Sequence, residues 1–284
     1  QAARIEAWRG PGRTSDGHAV AILANVADGV SARSGAKAQV EGVGLFRTEL
    51  AFLDRAAEPT VDEQVQLYRE VIDAFPGQKV VIRTLDAGSD KPLKFVTHLD
   101  EANPAMGVRG NRIVQTFPEV RTHQLDALAQ AAAGAERATP WVMAPMIATV
   151  DEAREFASVT REHGLTPGVM IEVPSAAIMA DAILAEVDFV SIGTNDLTQY
   201  TMAADRMSPE LASLTDPWQP AVLALIQRVG EAGARQNKPV GVCGEAAADP
   251  LLACVLVGLG VTSLSSAPAA AAAVGLRLSG VSLA

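Results

Sequence analysis

Hydrophobic residues along the chain gather into short Val- and Ile-rich runs, separated by longer stretches in which apolar residues recur at helical spacing. The runs fall at Ala19–Val26, Gly42–Phe46, Val80–Thr84, Trp141–Met146, Gly168–Val173, Phe189–Gly193, Val240–Gly244 and Thr262–Ser266, with Gly, Pro, Asn or Asp at their borders. Helix signals fill the gaps. Thr60 with Glu63, and Thr149 with Glu152, fit the pattern in which two side chains reciprocally satisfy the orphan amides of a first helical turn. After Thr60, apolar Val61, Val65, Tyr68, Ile72 and Phe75 keep helical spacing until Pro76 and Gly77 stop them. The helix after Thr149 ends at His163 and Gly164, and Asp249-Pro250 opens another with Asp as its cap. Strand and helix alternate throughout, which predicts parallel strands, and eight such units most simply close into a (β/α)8 barrel.

Two stretches depart from that regularity. The segment between Thr84 and Trp141 is far longer than one crossover helix needs and carries Gly88, Pro92, Asn103, Pro104 and Gly107. It predicts an enlarged, functional loop after the third strand. Residues 1–18 are polar and rich in Gly and Pro and read as a linker, with the barrel over residues 19–284.

Composition narrows the picture. The 284 residues suit one α/β barrel, which needs about 250. Abundant Ala, Val and Leu with only 4% aromatics suit strands covered on both faces. A net charge of −10 with no basic stretch excludes nucleic acid as a partner, so an anionic ligand would need a local basic cluster. The two cysteines, Cys243 and Cys254, make no disulfide framework and fit a reducing cytoplasm. The longest apolar run, 251–261, is too short to span a bilayer, so no membrane partner is expected. The chain opens at Gln1 with no signal-peptide pattern, which reads as a piece of a longer protein.

In such a barrel, chemistry collects at the C-terminal ends of the strands. At the ends of the runs or just past them stand Arg47, Arg83, Asp86, Glu172, Asn195, Asp196, Cys243 and Glu245. Buried ions need partners, so these charges must meet one another or a ligand. Glu172 and Asp196 end consecutive runs, on strands expected about 4.8 Å apart. They could share a Mg2+ ion or simply be neutralised by arginines. Arg47, Arg83, Arg109 and Arg206 are the candidate anion ligands, because a guanidinium fork matches carboxylate and phosphate oxygens. A structural ion pair fits Arg47 and Arg83 as well, and a solvated surface position fits Arg109, Arg206 and Lys91. Residue type alone makes Cys243 a buried structural thiol, as it does Cys254. His18, His98, His123 and His163 show no metal-ligand spacing.

The segment 191–201, reading SIGTNDLTQYT, resembles the signature of phosphoenolpyruvate-utilising enzymes. With Ala203-Ala204-Asp205-Arg206 behind it, the wording is similar to Enzyme I of the bacterial phosphoenolpyruvate:sugar phosphotransferase system. GVGLFRTE (42–49), VIRTLD (81–86), GVMIEVP (168–174) and GVCGE (241–245) match that family in the same order, from about Asp16 to about Ser266. The resemblance implies a phosphoenolpyruvate-binding and dimerisation barrel, in a homodimer. Arg47, Arg83 and Arg206 would bind phosphoenolpyruvate, assisted by Asn195 and the backbone at Asp196. Glu172 and Asp196 would hold Mg2+, and Cys243 would donate a proton to the enolate left by phosphoryl transfer. Arg109, within GVRGNR, and Lys91 align with further family positions.

In the family the phosphoryl acceptor is a histidine on a separate N-terminal domain, which passes the group to the carrier HPr. The resemblance thus makes residues 1–18 the linker from a missing phosphohistidine domain. The acceptor motif reads GG-x-T-S-H-[ST]-A, and the segment around His18 lacks both the Gly pair and the T-S-H adjacency. Two alternatives stand beside Enzyme I. One is the equivalent barrel of pyruvate phosphate dikinase or phosphoenolpyruvate synthase, and the other is a non-catalytic phosphoenolpyruvate-sensing module.

Overall fold

A computed structural model describes residues 2–53, 55–88, 93–96, 101–133 and 140–283. Eight parallel strands pair in sequence order, and the last returns to the first to close a barrel. They are β1 (Ala21–Val26), β2 (Gly42–Arg47), β3 (Lys79–Arg83), β4 (Trp141–Ala144), β5 (Thr166–Ile171), β6 (Phe189–Ile192), β7 (Val240–Val242) and β8 (Ser263–Ser266). Each coincides with one of the eight hydrophobic runs, with ends shifted by a residue or two. The fourth run is cut at Ala144 because Met146 takes φ +59°, a left-handed conformation that cannot continue a strand.

The helices are α1 (Ala2–Ala7), α2 (Gly29–Gly35), α3 (Val61–Asp73), α4 (Pro118–Ala132), α5 (Val150–Glu162), α6 (Pro174–Ile178), α7 (Ala180–Glu186), α8 (Thr194–Met202), α9 (Pro220–Gln236), α10 (Pro250–Gly258) and α11 (Ala271–Leu278). Both expected capping boxes form, Thr60 with Glu63 on α3 and Thr149 with Glu152 on α5. Asp249 caps α10 through the amides of Leu251 and Leu252. Residues 2–18 lie against the barrel: Trp8 packs on Gly275 of α11, where an added Cβ would fall 2.2 Å from the indole.

Side chains on the strands alternate between two environments. Val80, Ile82, Val142, Ala144, Val169, Ile171, Val190 and Val242 point outward into the main core beneath the helices. Val81, Met143, Met170, Phe189 and Cys243 point inward and fill the barrel. This parity continues past the strand ends, so Arg83, Glu172 and Cys243 all fall on the inward phase at the C-terminal mouth. Lys79, inward at the opposite end, lies 3.7 Å from the centre of the Trp141 ring and closes that end.

One strand breaks the alternation. Val43 and Phe46 both face the outer core while Leu45 faces the interior. The pairing of β2 slips by one residue against both neighbours, Ala24 facing Val43 but Asn25 facing Leu45, and Phe46 facing Ile82. This one-residue bulge at Gly44–Leu45 shifts Arg47 to the inward phase. Gly44 is required there, since a Cβ would sit 2.4 Å from Ser265 Oγ and 3.1 Å from Leu23 Cβ.

Between β3 and α4 the chain makes the excursion expected from its length. Phe52, Leu85, Ala87, Leu93, Val96, Ile113 and Val120 give it an apolar core of its own. Substituting Gly44→Ala forces a methyl into a filled interior and lowers stability by about 1–3 kcal/mol. Urea unfolding reads this as an earlier midpoint at unchanged slope.

Candidate functional site

A cavity of about 550 Å³ opens at the C-terminal mouth. Its wall includes Arg47, Arg83, Glu172, Asn195, Asp196, Arg206 and Cys243, so seven of the site residues singled out in the sequence meet there. Arg109 is not on that wall. Lys91 lies outside the described residues, as does His98.

The site rests on buried charge. Among the described residues, the charged side chains that are fully buried are Glu49, Arg83, Asp86, Arg109, Glu172 and Asp196. Arg83 reaches Glu49 at 2.5 Å and Asp86 at 3.1 Å. Arg109, only 1% exposed, pairs with Asp86 at 3.1 Å and with Asp196 at 3.2 Å. It also donates to the Tyr200 hydroxyl at 3.4 Å. Three carboxylates therefore share two guanidinium groups, and the fourth, Glu172, pairs with neither. Burial opposes the charge on Arg83, but Glu49, Asp86 and Glu172 outweigh it and hold the guanidinium ionised.

Glu172 carries the consequence. It follows β5, whose Ile171 pairs with Ile192 of β6, and its Oε1 accepts the Met146 amide at 2.7 Å. The left-handed turn at Met146 aims that amide. Oε2 is buried with no hydrogen-bond partner, and Gly193 leaves room for it, since a Cβ there would lie 2.7 Å away. Burial, then the charges of Asp196 and Asp86, push the Glu172 carboxyl up to about 7.

The remaining wall comes from α8 and the turns around it. Asn195 accepts the Glu245 amide on Oδ1 at 3.2 Å, which leaves its NH2 group to donate. Ala203, at φ +51°, ends α8 and turns the chain so that Arg206 returns to the cavity, where its amide donates to Gln199 at 3.0 Å. Arg47 pairs with Arg83 across β2 and β3 but stays at the exposed rim. The Cys243 thiol is buried against the Ile192 carbonyl at 3.7 Å, and burial raises it above its usual value, so it is a protonated thiol at neutral pH.

Sequence reasoning passed over Glu49 and the Met146 amide. Glu49 had a signal, two residues beyond Arg47 past the end of a run. Met146 had none, because a bulky residue rarely takes positive φ. The arrangement offers a small anion three arginines, and offers a cation the free oxygen of Glu172 beside Asp196. Among the described residues no group of three or more His, Cys, Asp or Glu is arranged to hold a metal. A Mg2+ ion does not require one, because one or two carboxylates with waters and ligand oxygens suffice.

Comparison with known proteins gives the family. The family described as PEP-utilising enzyme, PEP-binding domain, matches residues 5–282, and the chain belongs to it. It is 54% identical over 266 residues to the phosphoenolpyruvate-protein phosphotransferase of Streptomyces coelicolor, covering 93% of this chain and 48% of that one. A multiphosphoryl transfer protein of Rhodobacter capsulatus is 44% identical over 92% of this chain and 32% of its own length. The chain thus spans about half the length, or less, of these relatives. The solved citrate synthase SbnG, at 10% identity and TM-score 0.52 over 87% of this chain and 86% of its own, shares the barrel fold alone.

The raised carboxyl sets a pH dependence. A carboxylate lifted from 4.5 to about 7 makes the folded chain bind a proton that the unfolded chain has lost, so its share of stability falls as pH rises through that window. In metal-free protein, Glu172→Gln removes this loss. Thermal melts in a chelator should show the variant more stable at pH 8, by on the order of 3 kcal/mol, with the gain gone by pH 4.

Proposed function

We propose that this domain binds phosphoenolpyruvate with Mg2+ in the mouth cavity. On this reading it carries the pyruvate-forming half of phosphoryl transfer to a histidine on a separate domain, as a phosphoenolpyruvate-protein phosphotransferase. The observation that carries the reading is the pairing of opposites on one wall, with Arg47, Arg83 and Arg206 beside Glu172 and Asp196. A substrate bearing both a phosphate and a carboxylate needs the first set, and a divalent cation needs the second. The buried, unpartnered Glu172 Oε2 and Arg83 Nε support the fit, one as a cation ligand and the other as an anion donor.

In this mechanism the arginine forks hold the substrate oxygens, and the Asn195 NH2 group donates to one of them. Glu172 and Asp196 would hold Mg2+, which would supply charge neutralisation at the phosphate. The fixed positive groups favour the charge spread over the transferring phosphoryl group. Once that group has left, the Cys243 S–H bond breaks and its proton joins the enolate methylene carbon. The enolate electron pair makes the new C–H bond, pyruvate forms, and the thiolate is reprotonated from solvent.

His18 does not serve as acceptor in this reading. It precedes β1, at the end of the barrel opposite the mouth, and its backbone closes a turn with Thr14. The acceptor would sit on an N-terminal phosphohistidine domain joined through residues 1–18, and HPr would take the phosphoryl group from it; the names of the relatives support phosphoryl transfer to a protein. The barrel would pair as a homodimer, for which exposed Ile178 and Met179 offer apolar surface. It would work in the cytoplasm, and no described helix is long and apolar enough to cross a membrane.

Isothermal titration of phosphoenolpyruvate tests the reading directly. Binding should require Mg2+ and weaken at least tenfold in both Glu172→Gln and Asp196→Asn, and metal-independent binding that is unchanged in both variants would overturn it. Cys243→Ala, assayed with the phosphohistidine domain present, should keep its substrate affinity while pyruvate formation slows by about 100-fold or more. Normal turnover would return Cys243 to a structural thiol.

A further inference from the structure

Asp86 is fully buried and lies off the cavity wall, yet it touches both buried arginines. Its Oδ2 lies 3.1 Å from Arg83 Nη1 and 3.1 Å from Arg109 Nη2, and Oδ1 lies 3.2 Å from the same Nη2. Two guanidinium groups that would repel one another are held around a single carboxylate. Each then passes the constraint on. Arg83 is gripped on its other side by Glu49 and lines the cavity, while Arg109 reaches Asp196, which also lines it.

The line from Glu49 through Arg83, Asp86 and Arg109 to Asp196 crosses four separate parts of the chain: the turn after β2, the end of β3 with the residues just past it, the later excursion at Arg109, and the first turn of α8. The excursion is pinned at the same place. The Gly110 amide donates to Ala87 at 3.1 Å and the Asn111 amide to Pro145 at 3.2 Å, directly after Arg109, with Ala87 next to Asp86.

We propose that Asp86 is a positioning residue for the mouth cavity. It fixes where Arg83 presents its guanidinium to an anion and, through Arg109, where the Asp196 carboxylate lies. The proposal rests on reading the cavity as a phosphoenolpyruvate site. In it Arg109 acts through Asp86 and Asp196 and does not meet the substrate. Charge is the essential property, since the Asp86 carboxylate stands between two guanidinium groups that would otherwise repel one another at close range.

The isosteric Asp86→Asn keeps the volume and one acceptor oxygen but removes the charge. Its affinity for phosphoenolpyruvate with Mg2+, read by titration, should fall at least tenfold, and hydrogen exchange at the Gly110 and Asn111 amides should quicken. Ile113→Ala serves as the control. It loosens the excursion's apolar core and the same amides without touching the arginines, and its affinity should change less than threefold. The double variant Asp86→Asn/Arg109→Gln should bind no more weakly than Asp86→Asn alone, because both changes act along one line. Multiplied losses would overturn the role given to Arg109, and an equal loss in Ile113→Ala would make Asp86 merely structural. Tight wild-type binding with an unchanged constant in Asp86→Asn would refute the positioning role alone. Failure of the wild-type chain to bind would refute the reading of the cavity.

Discussion

Among the described residues, six buried charges at one end of a barrel, four carboxylates and two guanidinium groups, set the terms for the rest of the molecule. Ions away from water are stable only when paired with good geometry, and a set short of positive charge leaves one member strained. Here that member is Glu172, whose carboxyl is lifted by burial and by its acidic neighbours. Added positive charge relieves it, whether a proton or a cation. The same imbalance that lifts the Glu172 carboxyl makes the mouth receptive to positive charge.

Holding such a set in place requires a rigid frame, and the two-layer packing of the barrel supplies one. Inward side chains such as Val81, Met143, Met170 and Phe189 fill the interior, and a larger apolar shell seals the sheet against the helices. The excursion after β3 adds a third apolar cluster and delivers Arg109 from outside the barrel to the centre of the network. It is thus as much a part of the site as any strand end.

The fold was largely legible. Eight hydrophobic runs separated by capped helices appear as eight strands, and the capping boxes at Thr60 and Thr149 form as the residue types demand. These signals are local, so they survive reading one segment at a time. Much of the mouth was legible too, because polar residues directly after apolar runs are conspicuous, and seven of them share the cavity wall. What failed to show were relations between distant segments. Arg109 in its loop had the marks of a solvated side chain, and only its meeting with Asp86 and Asp196 makes burial tolerable.

By itself the sequence determined the order of strands and helices, the excess of acid over base, and the residue types at the strand ends. It determined the inward phase of Arg83, Glu172 and Cys243 as well, because side chains alternate along a strand whatever surrounds it. Tertiary structure decided the rest. The bulge at Gly44–Leu45 turns Arg47 inward, against the simple alternation from Val43, and a bulge is defined only by the strands on either side. The left-handed turn at Met146 and the lifted Glu172 carboxyl likewise arise from neighbours far apart in the chain. Periodicity is a property of a segment, whereas burial, register and the pairing of charges exist only once the barrel has closed.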